Sequence, residues 1–185
     1  MYSGGKGVTQ NDETAVTWYR RAAEQGHPKA QFELALAYLA GRGVKQDPAL
    51  GAAWMRKAAE QGYVEAQNNL AWLCQRGIGV SKDEAQAVSW FRKAAEQGDA
   101  TAQYNLGTMY AKGCGVQQDD EEAVAWYRKA AAQGESNALL RLGSMYWHGR
   151  GVEQDLMKAL RYIQQAARQG HAPAIELLTQ YGLPY

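Results

Sequence analysis

Three sets of residues have the types and spacing for chemistry. Ser3-Gly4-Gly5-Lys6 has the Ser-x-x-Lys spacing of an acyl-enzyme, in which a lysine amine activates a serine hydroxyl. That mechanism needs a rigid helix to aim the lysine, and partner motifs such as Lys-Thr-Gly. This segment is glycine-rich and the sequence holds no such partner, so the match reads as coincidence. His27, His148 and His171 lie far apart, and there is no His-Glu-x-x-His or Cys-x-x-Cys spacing, so no metal site is expected. Cys74 and Cys114 are too few for a disulfide-stapled secreted scaffold. The carboxylates form no pair suited to acid–base work. The recurrent Gly-x-Gly matches no dinucleotide or phosphate loop. No enzymatic activity and no cofactor are expected.

What remains is binding, and composition narrows the partner. The 20 basic and 19 acidic side chains leave a net charge of +1, without the basic excess of a nucleic-acid or membrane-surface binder. No run of 18 apolar residues is present to span a membrane. The aromatic residues are 6 Trp and 11 Tyr against 2 Phe, a choice that suits positions half in a core and half in water.

The elements that would position such side chains repeat. Trp18, Trp54, Trp90 and Trp126 stand 36 residues apart, and Tyr162 continues the series. Gly26, Gly62, Gly98, Gly134 and Gly170 keep the same step, as do Leu34, Leu70, Leu106, Leu142 and Leu178. A fixed period of this length marks a stack of supersecondary units. Asp47, Asp83, Asp119 and Asp155, with Asn11 in the first copy, stand where a helix N-cap is wanted. Asp83 with Gln86, and Asp119 with Glu122, have capping-box spacing. The helix that follows, helix B, runs to a glycine suited to a left-handed cap, as in Ala-Ala-Glu-Gln-Gly at 22–26. A second helix, helix A, then runs to Gly-x-Gly at 41–43, 77–79, 113–115 and 149–151. In the third copy Ala102, Leu106, Met109 and Tyr110 share one face of helix A. Ala123, Val124, Trp126, Tyr127, Ala130 and Ala131 share a broad face of helix B.

The pattern Ala-x-x-x-Leu-Gly-x-x-Tyr, Gly-x-Gly-Val, Asp, then Trp-Tyr-Arg-Lys-Ala-Ala resembles the bacterial-type Sel1-like repeat, a relative of the tetratricopeptide repeat. Residues 102–131 carry it through Ala102, Leu106, Gly107, Tyr110, Gly113, Gly115, Val116, Asp119, Trp126, Tyr127, Arg128 and Lys129. The resemblance implies an all-α fold, a right-handed α/α solenoid of about ten helices with helix A on the concave side. The register gives one domain over 1–185: a half-repeat 1–27, repeats 28–63, 64–99, 100–135 and 136–171, and a terminal helix in 172–185. Tyr2 aligns with Tyr38, Gly5 with Gly41 and Gly7 with Gly43, so the chain is expected to be a fragment that opens in the last turn of a missing helix A. A signal peptide could then have been lost. The compartment stays open between bacterial cytoplasm and periplasm, free thiols leaning towards a reducing one.

The repeated features read as architecture. Arg20-Arg21, Arg56-Lys57, Arg92-Lys93 and Arg128-Lys129 sit near helix C-termini, where cations are favoured. Glu24, Glu60 and Glu96 follow Arg20, Arg56 and Arg92 by four residues and offset their charge. Cys74 replaces Tyr38, Tyr110 and Tyr146 as a small core residue. The side chains that vary from copy to copy are the candidates for recognition. By analogy with tetratricopeptide grooves they lie on the exposed face of helix A. The first copy offers Lys29, Phe32 and Leu36, and the second Glu65, Asn68, Trp72 and Arg76. The third offers Thr101, Tyr104, Thr108 and Lys112, and the fourth Leu140, Ser144, Trp147 and His148. Bulky apolar groups mixed with a few charges suit a protein or peptide partner. Phe32 and Tyr104 have packing as an equal alternative. The leading reading is a protein-binding scaffold. The rivals are a structural module that self-associates through exposed repeat ends, and a β-lactam-binding or hydrolysing enzyme acting at Ser3.

Overall fold

The computed structural model describes residues 11–184. The Ser3–Lys6 motif, and the register of Tyr2, Gly5 and Gly7, lie outside them. Among the described residues there are ten helices and no strand. In order they are α1 (Asp12–Glu24), α2 (Pro28–Ala40), α3 (Pro48–Glu60), α4 (Val64–Arg76) and α5 (Glu84–Glu96). Then follow α6 (Ala100–Lys112), α7 (Asp120–Ala132), α8 (Ser136–His148), α9 (Leu156–Arg168) and α10 (Ala172–Gln180). Even-numbered helices are helix A and odd-numbered ones helix B. The chain divides into two compact units, Met1–Ala94 and Ala95–Tyr185.

The helix ends follow the local sequence. Side chains of Asn11, Asp47, Asp119 and Asp155 accept from the backbone N–H three residues on, and so does Asp83 from Gln86. Each satisfies a donor that the first turn leaves without an intrahelical partner. The expected capping box is only half made. The N–H of Asp83 donates to the Cys74 carbonyl at 2.9 Å, and that of Asp119 to the Tyr110 carbonyl at 3.0 Å. With those donors already taken by the preceding helix A, Gln86 turns away. Its Oε1 accepts from Arg56 at 3.0 Å and from the Cys74 thiol at 3.1 Å. Cys74 and Cys114 are free thiols, and Cys74 is buried.

Each unit has its own apolar interior. In the first, Val16, Ala23, Leu34, Ala37 and Tyr38 form a buried cluster, with Tyr19, Ala30, Val44 and Trp54 packed on it. In the second, Leu106, Val124, Tyr127, Leu139, Leu142 and Leu178 are fully buried. All six residues expected on the inner face of α7 are buried. Close helix approach depends on Gly107 and Gly143. A Cβ at Gly107 would come within 2.8 Å of the Tyr127 ring, and one at Gly143 within 2.6 Å of Ile163.

One structural feature has no apolar signature. Gln31, Gln67 and Gln103 are buried at 4–5% exposure. Their Nε2 groups donate to the carbonyls of Ala23, Ala59 and Ala95 in the last turn of the helix B before them. Gln61 and Gln133, from the end of the next helix B, donate in turn to Gln31 Oε1 at 2.7 Å and Gln103 Oε1 at 2.9 Å. A glutamine bonded at both amide atoms avoids the desolvation cost of burial. Gln103→Ala should therefore lower unfolding stability by about 1–3 kcal/mol, since it removes the buried bonds to the Ala95 carbonyl and from Gln133 and leaves a void where the side chain packed. Gln103→Leu should cost less, because Leu139 fills the equivalent place one repeat later. Urea unfolding of both variants checks the order, and a costlier leucine would contradict it.

The repeated basic pairs are also built into the fold, by contacts other than the expected Arg–Glu spacing. Lys57, Lys93 and Lys129 place their ammonium groups 4.0, 4.0 and 3.7 Å from the ring centres of Trp54, Trp90 and Trp126. Such cation–π contacts hold the lysine along its own helix. Arg20 donates to Tyr38 Oη at 2.9 Å and Arg128 to Tyr146 Oη at 2.7 Å, joining helix B to the next helix A.

Candidate functional site

In the first unit, the variable residues of helix A divide into packed and open ones. Phe32 is half-buried, its ring centre 5.3 Å from that of Tyr63, and Leu36 and Asn68 are half-buried. Lys29 and Glu65 are exposed. Trp72 is 45% exposed, with the Arg76 guanidinium 5.7 Å from its ring centre.

In the second unit, Tyr104 packs at 6.0 Å against Tyr127. Burial pushes the Tyr127 phenol up, so it stays a donor; its hydroxyl reaches Thr108 Oγ1 at 3.2 Å. Thr108 itself donates to the Tyr104 carbonyl. These three therefore hold one another, while Thr101 and Lys112 are exposed. Arg141 lies close enough to Tyr127 to oppose the upward shift of its phenol.

The four residues from α8 come together. Leu140, Ser144, Trp147 and His148 form one wall of an apolar pocket of about 240 Å³. Leu160 and Ile163 of α9 and Leu177 and Leu178 of α10 supply the others, with Tyr181 and Leu183 from the tail. Trp147 is 41% exposed at its edge. His148 Nδ1 lies 2.8 Å from the Ser144 carbonyl, which holds the ring across the end of α8. The tail is fixed by backbone and side chain: Leu183 N–H donates to the Leu178 carbonyl at 2.9 Å, and Gln164 to the Pro184 carbonyl at 2.7 Å.

The walls from α9 and α10 were not among the residues singled out from sequence. One signal was available. Glu33, Asn69, Asn105 and Arg141 are polar at the position where α10 carries Leu177. That lone apolar substitution is the far wall of the pocket. His171 keeps a turn role, with Nε2 3.0 Å from Asn137 Oδ1. Among the described residues no group of His, Cys, Asp or Glu could hold a metal, and no helix is long and apolar enough to cross a membrane.

Known proteins share this architecture. The family model described as the Sel1 repeat matches residues 1–27, 28–63, 64–99, 100–135 and 136–171. Among solved structures, a protective antigen present in uropathogenic Escherichia coli strains, displaying an SLR fold, has a TM-score of 0.91 and 41% identity over 94% of this chain. The chain spans 37% of the length of that antigen. A Sel1 repeat protein from Oxalobacter formigenes has a TM-score of 0.89 and 38% identity, over 96% of this chain and 70% of its own. An immunity protein from Pseudomonas aeruginosa, 27% identical, has a TM-score of 0.57 over 91% of this chain and 62% of its own. No curated protein sequence matches the chain.

Proposed function

The chain belongs to the Sel1 repeat family, and from that premise we propose that it is a protein-binding scaffold whose helix-A face takes up a segment of a partner. Sel1 repeats generally mediate protein–protein interaction. The observation that carries the finer reading is the pocket between α8, α9 and α10. Two of its walls leave the repeat pattern: Trp147 stands where other copies have Leu39, Gln75 and Ala111, and Leu177 where they have polar groups, while Leu178 belongs to the leucine ladder and Leu160 and Ile163 stand where every copy is apolar. An apolar concavity widened by such departures is suited to anchor a partner side chain. The surrounding contacts would exclude water and set register.

Selection of a displayed peptide library on the intact chain tests this. Enriched peptides should slow amide hydrogen exchange in α8 and α10 and leave the exposed face of α3 and α7 unchanged. Protection confined to helix B would overturn the assignment of the face.

A further inference from the structure

Two neighbouring repeats of the second unit differ in how they fill the space beside helix A. In the third, the buried Tyr127 ring extends from α7 along α6. It lies over Gly107, where a Cβ would come within 2.8 Å of it, and packs on Tyr104. Its hydroxyl ends on Thr108 Oγ1 at 3.2 Å. The fourth repeat keeps the matching small and hydroxyl-bearing pair, Gly143-Ser144, but not the rings: Ile163 stands in the place of Tyr127 and Leu140 in that of Tyr104. In the two repeats before them the same places hold Phe32 with Met55, and Asn68 with Phe91. Each of those three repeats therefore has an aromatic ring at one place or both, and the fourth has none. Leu140, Ser144 and Ile163 all line the pocket of about 240 Å³. The cavity thus lies where the fold elsewhere holds a ring of its own.

We infer that this pocket takes the phenylalanine side chain of a partner segment, in the place that a repeat's own ring occupies elsewhere; the inference rests on the helix-A reading above. The volume falls below the roughly 300–1,000 Å³ usual for small-molecule sites, so it suits one side chain better than a whole ligand. The lining holds no Lys, Arg, Asp or Glu, so shape and apolar contact select the guest. The direction of entry then separates phenylalanine from tyrosine. Tyr127 comes from helix B and carries its hydroxyl outwards to Thr108. A partner's ring comes the opposite way, past the exposed rim of Ser144, Trp147, His148 and Tyr181. Its tip meets the buried floor of Ile163 and Leu178. A hydroxyl there would lose its water, and the floor offers it no side-chain partner. An aliphatic guest would also be buried, but the rings of Trp147 and Tyr181 add edge-on or offset contact only to an aromatic one.

Uncharged Gly/Ser peptides with one central Phe, Tyr, Leu or Ala test the inference by NMR titration of the intact chain. The Trp147 indole N–H signal reads affinity, and isoleucine methyl signals read the place. The Phe peptide should bind at least about fivefold more tightly than each of the other three. It should shift the Ile163 methyl signal and leave that of Ile78, in the first unit, unmoved. Ile163→Tyr should set a ring into the pocket from its floor, as Tyr127 does one repeat earlier, and weaken the Phe peptide at least about tenfold. Leu140→Phe should do the same from the side wall, and either variant that keeps its helicity suffices. Equal binding of the Phe peptide and any of the others, or undiminished binding to a filled variant, would overturn the inference. If library-selected peptides protect α8 and α10 but lack phenylalanine, the anchor is wrong and the helix-A scaffold stands. If they protect only helix B, the scaffold reading fails.

Discussion

Gly151→Ala should lower the unfolding free energy by about 3 kcal/mol or more, a large loss for the addition of one methyl group. Gly151 is the second glycine of its Gly-x-Gly loop and lies at φ +63°. A side chain in that left-handed conformation costs about 1–2 kcal/mol by itself. The larger part is steric. The loop rests on the first turn of α7, and an added Cβ would lie 2.2 Å from the Asp120 carbonyl oxygen and 2.8 Å from the Glu121 nitrogen. Both are backbone atoms held by the helix, so the whole loop must lift. Lifting it would also pull Arg150 from Asp120, to which its guanidinium donates at 2.7 and 3.1 Å, although an exposed pair of this kind is worth only about 1 kcal/mol at most. Gly79 repeats the arrangement in the first unit, with its added Cβ 2.0 Å from the Pro48 carbonyl oxygen. Gly170 separates the two costs. Its φ is +81°, but nothing lies within 4 Å of an added Cβ. Gly170→Ala should therefore show the conformational cost alone, near 1 kcal/mol. Urea unfolding of the three variants gives the comparison; equal losses at Gly151 and Gly170 would mean that the contact with the preceding helix is not what requires the glycine.

The same glycine shows what a sequence of this kind discloses. The Gly-x-Gly ladder fixes where helix A stops, because its first glycines, Gly41, Gly77, Gly113 and Gly149, take the left-handed cap, which needs glycine and little else. It says nothing of the backbone 30 residues earlier that the loop rests on. Caps were legible for the same local reason: an Asp three residues before a free N–H has one obvious partner. The capping boxes misled because Asp83 and Asp119 give their own N–H groups to the preceding helix A, a long-range bond that spacing cannot reveal. The basic pairs also have partners that spacing cannot reveal. Lys129 sits over Trp126 on its own helix, and Arg128 reaches Tyr146 eighteen residues on. The buried glutamines were invisible, because a polar residue on a helix reads as surface until its partners are known. On the candidate face, sequence variation picked out the α8 residues that line the pocket. It could not separate them from Tyr104, Phe32 and Thr108, which vary as much and are spent on packing against Tyr127 and Tyr63. A face follows from a 36-residue period; a cavity depends on how three helices leave space between them.

Peptides bound at the pocket should lose about 30-fold in affinity on Trp147→Ala, a change of about 2 kcal/mol. Trp147 forms one wall with Leu140 and Ser144, and removing the indole opens that wall to water while taking away the largest apolar contact for a guest. The ring is 41% exposed, so the free protein already hydrates much of it, and helicity should hold. Trp72→Ala is the matched control. Trp72 is equally open at 45% and belongs to the same face of helix A, but it lies in the first unit beneath Arg76, outside this pocket. Its loss should change the affinity of the same peptides less than about twofold, as for a contact away from the buried centre of an interface. Leu177→Asn sets the opposite wall to the residue that the second and third repeats carry there, Asn69 and Asn105. The amide would bring polar atoms to a wall that an apolar guest must desolvate without offering it a partner, so binding should weaken by at least about tenfold. Anisotropy titrations on the three variants, each first shown to unfold with an unchanged urea m-value, decide the matter. Loss at Trp147 and Leu177 with retention at Trp72 locates the anchor; equal losses at Trp72 and Trp147 would mean that the indoles act as a shared apolar surface and that the cavity between α8 and α10 is not where the partner is held.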